Sequence, residues 1–207
     1  MMMELLGAAA IVASAQASPL AGVYDGGQME MAARLRLAPD GTFQFALSYG
    51  ALDEIAKGRW SEKDGQVLLR TDPAPKAPAF TPVSDKPSPD GKLHASLADP
   101  DLLQGSPLTV VVTYADSDQP SFVEASEDGL VPIEVGRTPV AIVPDLPVYP
   151  FPLAAHPLTP GGHRIVFRFD INDFGIAAFS DEPLAVEDGD LLLRRYDRLI
   201  RFKRVGN

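Results

Sequence analysis

The chain contains no cysteine among its 207 residues. That absence excludes disulfides, thiolate metal sites, a cysteine nucleophile and a lipid anchor carried on an N-terminal cysteine. Histidine is nearly as scarce, with only His94, His156 and His163. No two of them have the i, i+4 spacing of a helical metal site, and no H-E-x-x-H occurs. Zinc needs three or four convergent ligands, so the three histidines are expected to be solvent-facing loop residues, with no metal and no cofactor. Basic residues are outnumbered, 18 against 28, giving a net charge of −10. Nucleic-acid binding rests on neutralising phosphates, so it is excluded as a general activity. No G-x-S-x-G elbow, P-loop or G-x-G-x-x-G is present, which excludes an α/β-hydrolase and the common nucleotide-binding motifs. A dispersed Ser-His-Asp triad stays open, because triads are defined by geometry. After the N-terminus no apolar run is long enough to cross a bilayer as a helix.

What the chain has instead is punctuation. Asp-Gly occurs six times: Asp25-Gly26, Asp40-Gly41, Asp64-Gly65, Asp90-Gly91, Asp128-Gly129 and Asp188-Gly189. Glycine tolerates positive φ and aspartate hydrogen-bonds its local backbone, so the pair marks hairpins when apolar alternation flanks it. Met29, Met31, Ala33, Leu35 and Leu37 alternate with more polar neighbours. Phe43, Phe45, Leu47 and Tyr49 share the next face, Gly50 to Glu54 reads as a loop, and strands at 55–62 and 67–71 follow. Further strands are expected around Leu108–Tyr114, 121–125 hairpinned to 130–135, 140–143, 165–171, 191–195 and 199–205. With 45% hydrophobic residues the chain can bury a core without staples.

Residues 72–90 hold six prolines and 139–160 hold seven. Proline has no donor for a sheet ladder, so 72–90 is read as an extended linker or edge-covering loop, and 139–160 as a second proline-rich stretch. At the N-terminus, Leu5 to Ala13 is a short apolar run, followed by Ala13-Ser14-Ala15 and Ala15-Gln16-Ala17. These fit a signal peptide over 1–17 and export to the periplasm or beyond. The last residues are locally basic, with Arg194, Arg195, Arg198, Arg201, Lys203 and Arg204 against Asp197. Long basic stems cover apolar edges and can pair with the acidic remainder of the chain. Asp170, Asn172, Asp173 and Gly175 could be read as oxygen ligands for calcium, but a strand-end turn with local hydrogen bonds is the simpler expectation.

Gly22-Val23-Tyr24-Asp25-Gly26, Leu35-Arg36-Leu37, Asp40-Gly41-Thr42-Phe43, Tyr49, Gly58-Arg59-Trp60 and Val67 to Leu69 together resemble the small lipocalin-like barrel of the NlpE N-terminal domain family. The resemblance implies an envelope barrel; that family's Cys-x-x-Cys site and lipidated cysteine have no counterpart here. The second half looks loosely transthyretin-like or immunoglobulin-like. The fold class expected is therefore all-β: a lipocalin-like antiparallel meander or barrel over 18–105, with a β-sandwich-like domain over 106–183. Residues 184–207 would return to complete the barrel, because closure removes bare sheet edges.

If the barrel has a mouth, Tyr24, Glu30, Tyr49, Asp53, Glu54 and Trp60 would line it and favour a cationic or sugar-like ligand. The alternative is that Trp60 and Tyr49 plug a small barrel. No spacing sets two carboxylates at a catalytic separation, so no catalytic residue is assigned. The function expected is a non-enzymatic binding or structural module of the bacterial envelope, with a small molecule or envelope protein as partner. The alternatives are a hydrolase of an envelope polymer and a protein-interaction subunit.

Overall fold

The computed structural model describes residues 18–145 and 154–206; the expected leader, 1–17, and the middle of the second proline-rich stretch, 146–153, lie outside the described residues. The strands are β1 (Gly22–Asp25), β2 (Met31–Leu37), β3 (Thr42–Tyr49), β4 (Leu52–Lys63) and β5 (Gln66–Thr71). There follow β6 (Ala79–Pro87), β7 (Leu93–Leu97), β8 (Thr109–Tyr114), β9 (Ser121–Glu124), β10 (Pro139–Pro144), β11 (His156–Pro157) and β12 (His163–Asp170). The chain ends with β13 (Ser180–Glu187), β14 (Asp190–Arg195) and β15 (Arg198–Arg204). One turn of 3-10 helix, Pro100–Leu103, interrupts the strands. Among the described residues no helix is long and apolar enough to cross a membrane. The fold is all-β.

Eight strands close into an antiparallel barrel in the order β1-β15-β14-β13-β5-β4-β3-β2. The sequence pattern explains it directly. In β2, Met31, Ala33, Leu35 and Leu37 are buried while Ala32, Arg34 and Arg36 are exposed, the period of a strand with one face inward. Closure rests on β1 pairing with both β2 and β15, and on β5 pairing with β13. The interior is filled. Phe179 sits edge-on to Phe45 at 5.1 Å and to Phe43 at 5.8 Å, and Phe45 meets Phe202 at 6.4 Å. Small barrels leave room for little else.

Turn chemistry behaves as the Asp-Gly pairs suggest, with one correction. In five of the pairs glycine takes positive φ, and at Asp64-Gly65 and Asp188-Gly189 both residues do, as a two-residue hairpin turn requires. Asp25-Gly26 is different. Gly26 is buried with an ordinary φ, and a Cβ there would lie 2.8 Å from the Phe202 ring and 2.9 Å from Ile200. Its missing side chain admits the barrel core, while the turn itself falls on 27–30 with Glu30 at φ 62°. The Gly50–Glu54 loop shrinks to Gly50-Ala51, because Leu52 is buried and already belongs to β4.

The chain divides into two units: residues up to 47, 55–73 and 178 onward, and residues 48–54 with 74–177. The second unit holds a four-stranded sheet, β11-β10-β8-β9, and a three-stranded sheet, β6-β12-β7. Phe80, Ala95, Ile165 and Phe167 from one sheet share a core with Val110, Val112, Tyr114 and Ile142 from the other. This is a sandwich-like arrangement. It takes in residues 74–105, which the sequence reading left with the barrel, because β6 and β7 both pair with β12.

Two expectations about strands change here. The proline-rich 72–90 stretch carries β6, including Pro82 and Pro87; these are tolerated because β6 is a sheet edge with a bulge near Val83. The 121–125/130–135 hairpin does not form. β9 pairs with β8 instead, and 129–131 lies against β7, with Ala95 N–H donating to Gly129 O at 2.8 Å and Val131 N–H to Leu93 O at 2.9 Å.

The basic C-terminal strands are neutralised locally. Arg201 donates to Glu187 at 2.7 Å and to Asp190 at 3.2 Å, and Arg204 caps the carbonyls of Pro19 and Ala21.

Two substitutions test this account by urea unfolding. A Cβ on Gly58 would fall 2.0 Å from Arg70 O and 2.7 Å from Asp72 N, both backbone atoms. Gly58→Ala is expected to lose more than about 2 kcal/mol. Tyr196 and Asp197 form the β14–β15 turn with φ of 51° and 56°. Asp197→Gly is expected to gain about 1 kcal/mol, because the left-handed region strains a residue with a Cβ.

Candidate functional site

The six residues proposed to line a barrel mouth are not brought together. Tyr24 is fully buried, its hydroxyl donating to Leu20 O at 2.7 Å, and burial raises its pKa. Trp60 is buried beside the β2–β3 turn and donates Nε1–H to Ala38 O at 2.9 Å. Tyr49, Asp53 and Glu54 stand at the other end of the β3–β4 hairpin. Glu54 and Trp60 are separated by six residues of one strand, roughly 20 Å. Glu30 and Asp53 are exposed, and Asp53 accepts from Ser48 Oγ. Tyr24 and Trp60 therefore act as filling whose polar atoms are satisfied by the backbone.

The histidines depart from expectation. None is a solvent-facing loop residue: His94 and His163 are buried, His156 is half-buried, and all three lie on strands of the second unit. Each has a carboxylate partner. Asp85 on β6 accepts from His163 Nδ1 at 2.8 Å and from His156 Nε2 at 3.0 Å. His163 Nε2 lies 2.8 Å from Thr159 O. Both ring nitrogens of His163 thus face acceptors, an arrangement that favours the doubly protonated ring. Its pKa is raised, first by Asp85 and then, against the cost of burial, by Thr159. Burial works against the Asp85 carboxylate, but the two imidazoles outweigh it and hold the pKa below the usual range.

This geometry settles what the cluster can do chemically. Thr159, His163 and Asp85 look at first like a hydroxyl–imidazole–carboxylate relay, with Thr159 Oγ1 at 3.4 Å from Nε2. A general base needs a free nitrogen lone pair, and both ring nitrogens of His163 are already engaged by acceptors. The cluster is instead an ionic clasp. β11 is the edge of one sheet and β6 the edge of the other, so Asp85 ties the two sheets of the sandwich together.

His94 is held differently. Nε2 donates to Asp90 Oδ2 at 2.9 Å, and Nδ1 is buried with no partner. Asp90 also accepts from Ser88 Oγ and Lys92 N–H, which tightens the Asp90-Gly91 turn and lowers its pKa strongly, Ser88 contributing most. Around Asp170–Gly175 the oxygens are spent on the chain itself. Asp170 accepts from Arg168 and Thr81, Asp173 from Lys76 N–H, and Asn172 donates to Ala77 O. Among the described residues no group of three or more acidic or histidine side chains converges as a metal site.

Among the described residues the second unit has an open groove of about 600 Å³. It lies between β7 at 95–97, the 3-10 turn with the chain to Leu108, and the 125–129 turn. Leu97, Leu103, Leu108 and Ala125 supply apolar surface, while Ser96, Ser106, Ser126, Glu127 and Asp128 supply polar atoms. No sequence motif marks it, since its walls come from three separate loops and one strand edge.

No protein-family model matches the chain, and neither the curated proteins nor the solved structures include a match.

The clasp makes stability depend on pH with a defined sign. His163 has a raised pKa, so its contribution is complete below about pH 6.5 and is lost as pH rises through the folded value. Asp85 has a lowered pKa, so its contribution is lost only in acid, as pH falls through its folded value. The protection of β12 amides, as exchange rates corrected for the intrinsic rate at each pH, should therefore be highest in mildly acidic solution and lower at pH 8 by about 1 kcal/mol. His163→Gln should flatten that change between pH 6 and 8; an undiminished pH dependence in the variant would assign it to another group.

Proposed function

We propose that this chain is a non-enzymatic binding module of the bacterial cell envelope, exported to the periplasm or beyond, in which the barrel is scaffold and the groove of the second unit is the binding site. The observation that carries the reading is the contrast between the two units. The barrel interior is filled by rings whose polar atoms bond to backbone. The second unit offers an open groove of about 600 Å³ with mixed apolar and polar walls, within the size range of ligand sites. Against catalysis, both ring nitrogens of the best candidate base, His163, are engaged by acceptors. The envelope setting is supported by the Leu5–Ala13 run with its A-x-A sites, and by the likeness of residues 22–69 to the NlpE barrel.

Titration with Nile red, a neutral apolar fluorophore, tests the site by NMR. Shifts are expected at amides of 95–97, 103–108 and 125–129, with the Trp60 Nε1–H resonance unmoved. Ser106 is exposed on the groove wall, so Ser106→Trp should weaken binding about tenfold without lowering the melting temperature. Shifts concentrated at Trp60, Tyr24 and Phe179 would instead place the site in the barrel.

A further inference from the structure

We propose that the groove of the second unit takes an extended peptide carrying basic residues beside an apolar one, added as a short strand to the free edge of β7. This deepens the binding reading above and rests on it.

The backbone directions make the argument. Successive residues of a strand point their N–H and C=O groups to opposite sides in the plane of the sheet. Ala98 N–H donates to Phe167 O of β12 at 2.7 Å, so residues 96 and 98 face β12. Leu93, Ala95 and Leu97 therefore face the other way. Leu93 and Ala95 are satisfied there by Val131 and Gly129. Among the described residues Leu97 has no such partner, because the covering chain turns away at Gly129, whose N–H bends back to Ser126 O at 2.8 Å. The N–H and C=O of Leu97 thus face the groove beyond the end of the 129–131 segment. A peptide residue placed opposite Leu97 can exchange both hydrogen bonds of a narrow antiparallel pair. Strand addition of this kind draws affinity from the main chain and selectivity from side-chain pockets.

The surroundings choose the side chains. Leu103, Leu108 and Ala125 offer an apolar wall for one residue of the peptide. The groove lining contains Glu127 and Asp128 and no basic residue. Asp128 is committed to its own turn through Ser126 Oγ and Leu130 N–H. Glu127 is exposed, with no hydrogen bond or ion pair among the described residues. Asp99 and Asp101, flanking Pro100 of the lining, add negative potential nearby. An acidic rim above an apolar wall and an unpaired strand edge complements a lysine- or arginine-bearing extended segment, and it repels an acidic one.

The test uses the full chain and three synthetic probes: a five-residue peptide alternating lysine and valine, the same peptide with glutamate for lysine, and the basic peptide N-methylated at its central residue. Binding is read by fluorescence anisotropy and by NMR shift of the Leu97 amide. The basic peptide is expected to bind and shift Leu97. The acidic and N-methylated peptides should each bind at least tenfold more weakly. Glu127→Lys should weaken the basic peptide about tenfold and strengthen the acidic one. Equal affinity for the basic and acidic peptides, or for the methylated one, overturns the proposal. Nile red in the groove with no peptide binding overturns the peptide assignment and leaves the site standing. No probe shifting the groove amides overturns both.

Discussion

Closure of the barrel is the constraint from which the rest follows. An open sheet of this composition would present unpaired donors and acceptors along two edges. Here one edge is removed by β1 pairing with β15 and the other by β5 pairing with β13. The latter joins residues 66–70 to 180–185, so the chain must return over a long distance before the barrel is complete. Such non-local pairing is slow to form. The packing matches that demand: Phe179, just ahead of β13, is the ring that both Phe43 and Phe45 meet edge-on, so the return of the chain also completes the core. At the β5–β13 seam a bulge at Asp181 sets its carboxylate against Arg70, a local ion pair at the place where the register shifts.

The second unit solves the same edge problem without closing. β6 and β11 are edges, and Asp85 on β6 joins them through His156 on β11 while also holding His163 on the neighbouring β12. β6 is also rich in proline, which blunts an edge against further pairing. β7 is covered at Leu93 and Ala95 by 129–131, a segment that ends short of Leu97. The contrast between protected and unprotected edges is what singles out the groove.

The strands were legible in the sequence where one face is inward and the other wet. β2, β3, β8 and β12 could be read residue by residue, since alternation of apolar and polar side chains reports a half-buried strand directly. β7 was not, because His94 is buried on the face opposite Leu93 and Ala95, which breaks the alternation. β13 was hidden by Asp181, Glu182 and Pro183, whose compatibility with a strand depends on a bulge visible only in three dimensions. The Gly26 reading failed for a related reason: the motif signals a turn, while the position is dictated by the rings of the core. Of the functional features, neither the Asp85 clasp nor the groove leaves a local pattern. Asp85 and His163 lie 78 positions apart in the chain, and the groove is assembled from loops with no shared spacing.

Thr71 and Phe179 exchange hydrogen bonds at the seam, Thr71 N–H to Phe179 O at 2.9 Å and Phe179 N–H to Thr71 Oγ1 at 3.0 Å. The polypeptide therefore leaves the barrel and re-enters it through one narrow doorway. The entropy of closing a loop grows only logarithmically, so a doubling of the excursion costs about 0.6 kcal/mol. Such a doorway is largely indifferent to the size of what is threaded through it. Lengthening or trimming the chain between β5 and β13 would therefore cost the seam little entropy.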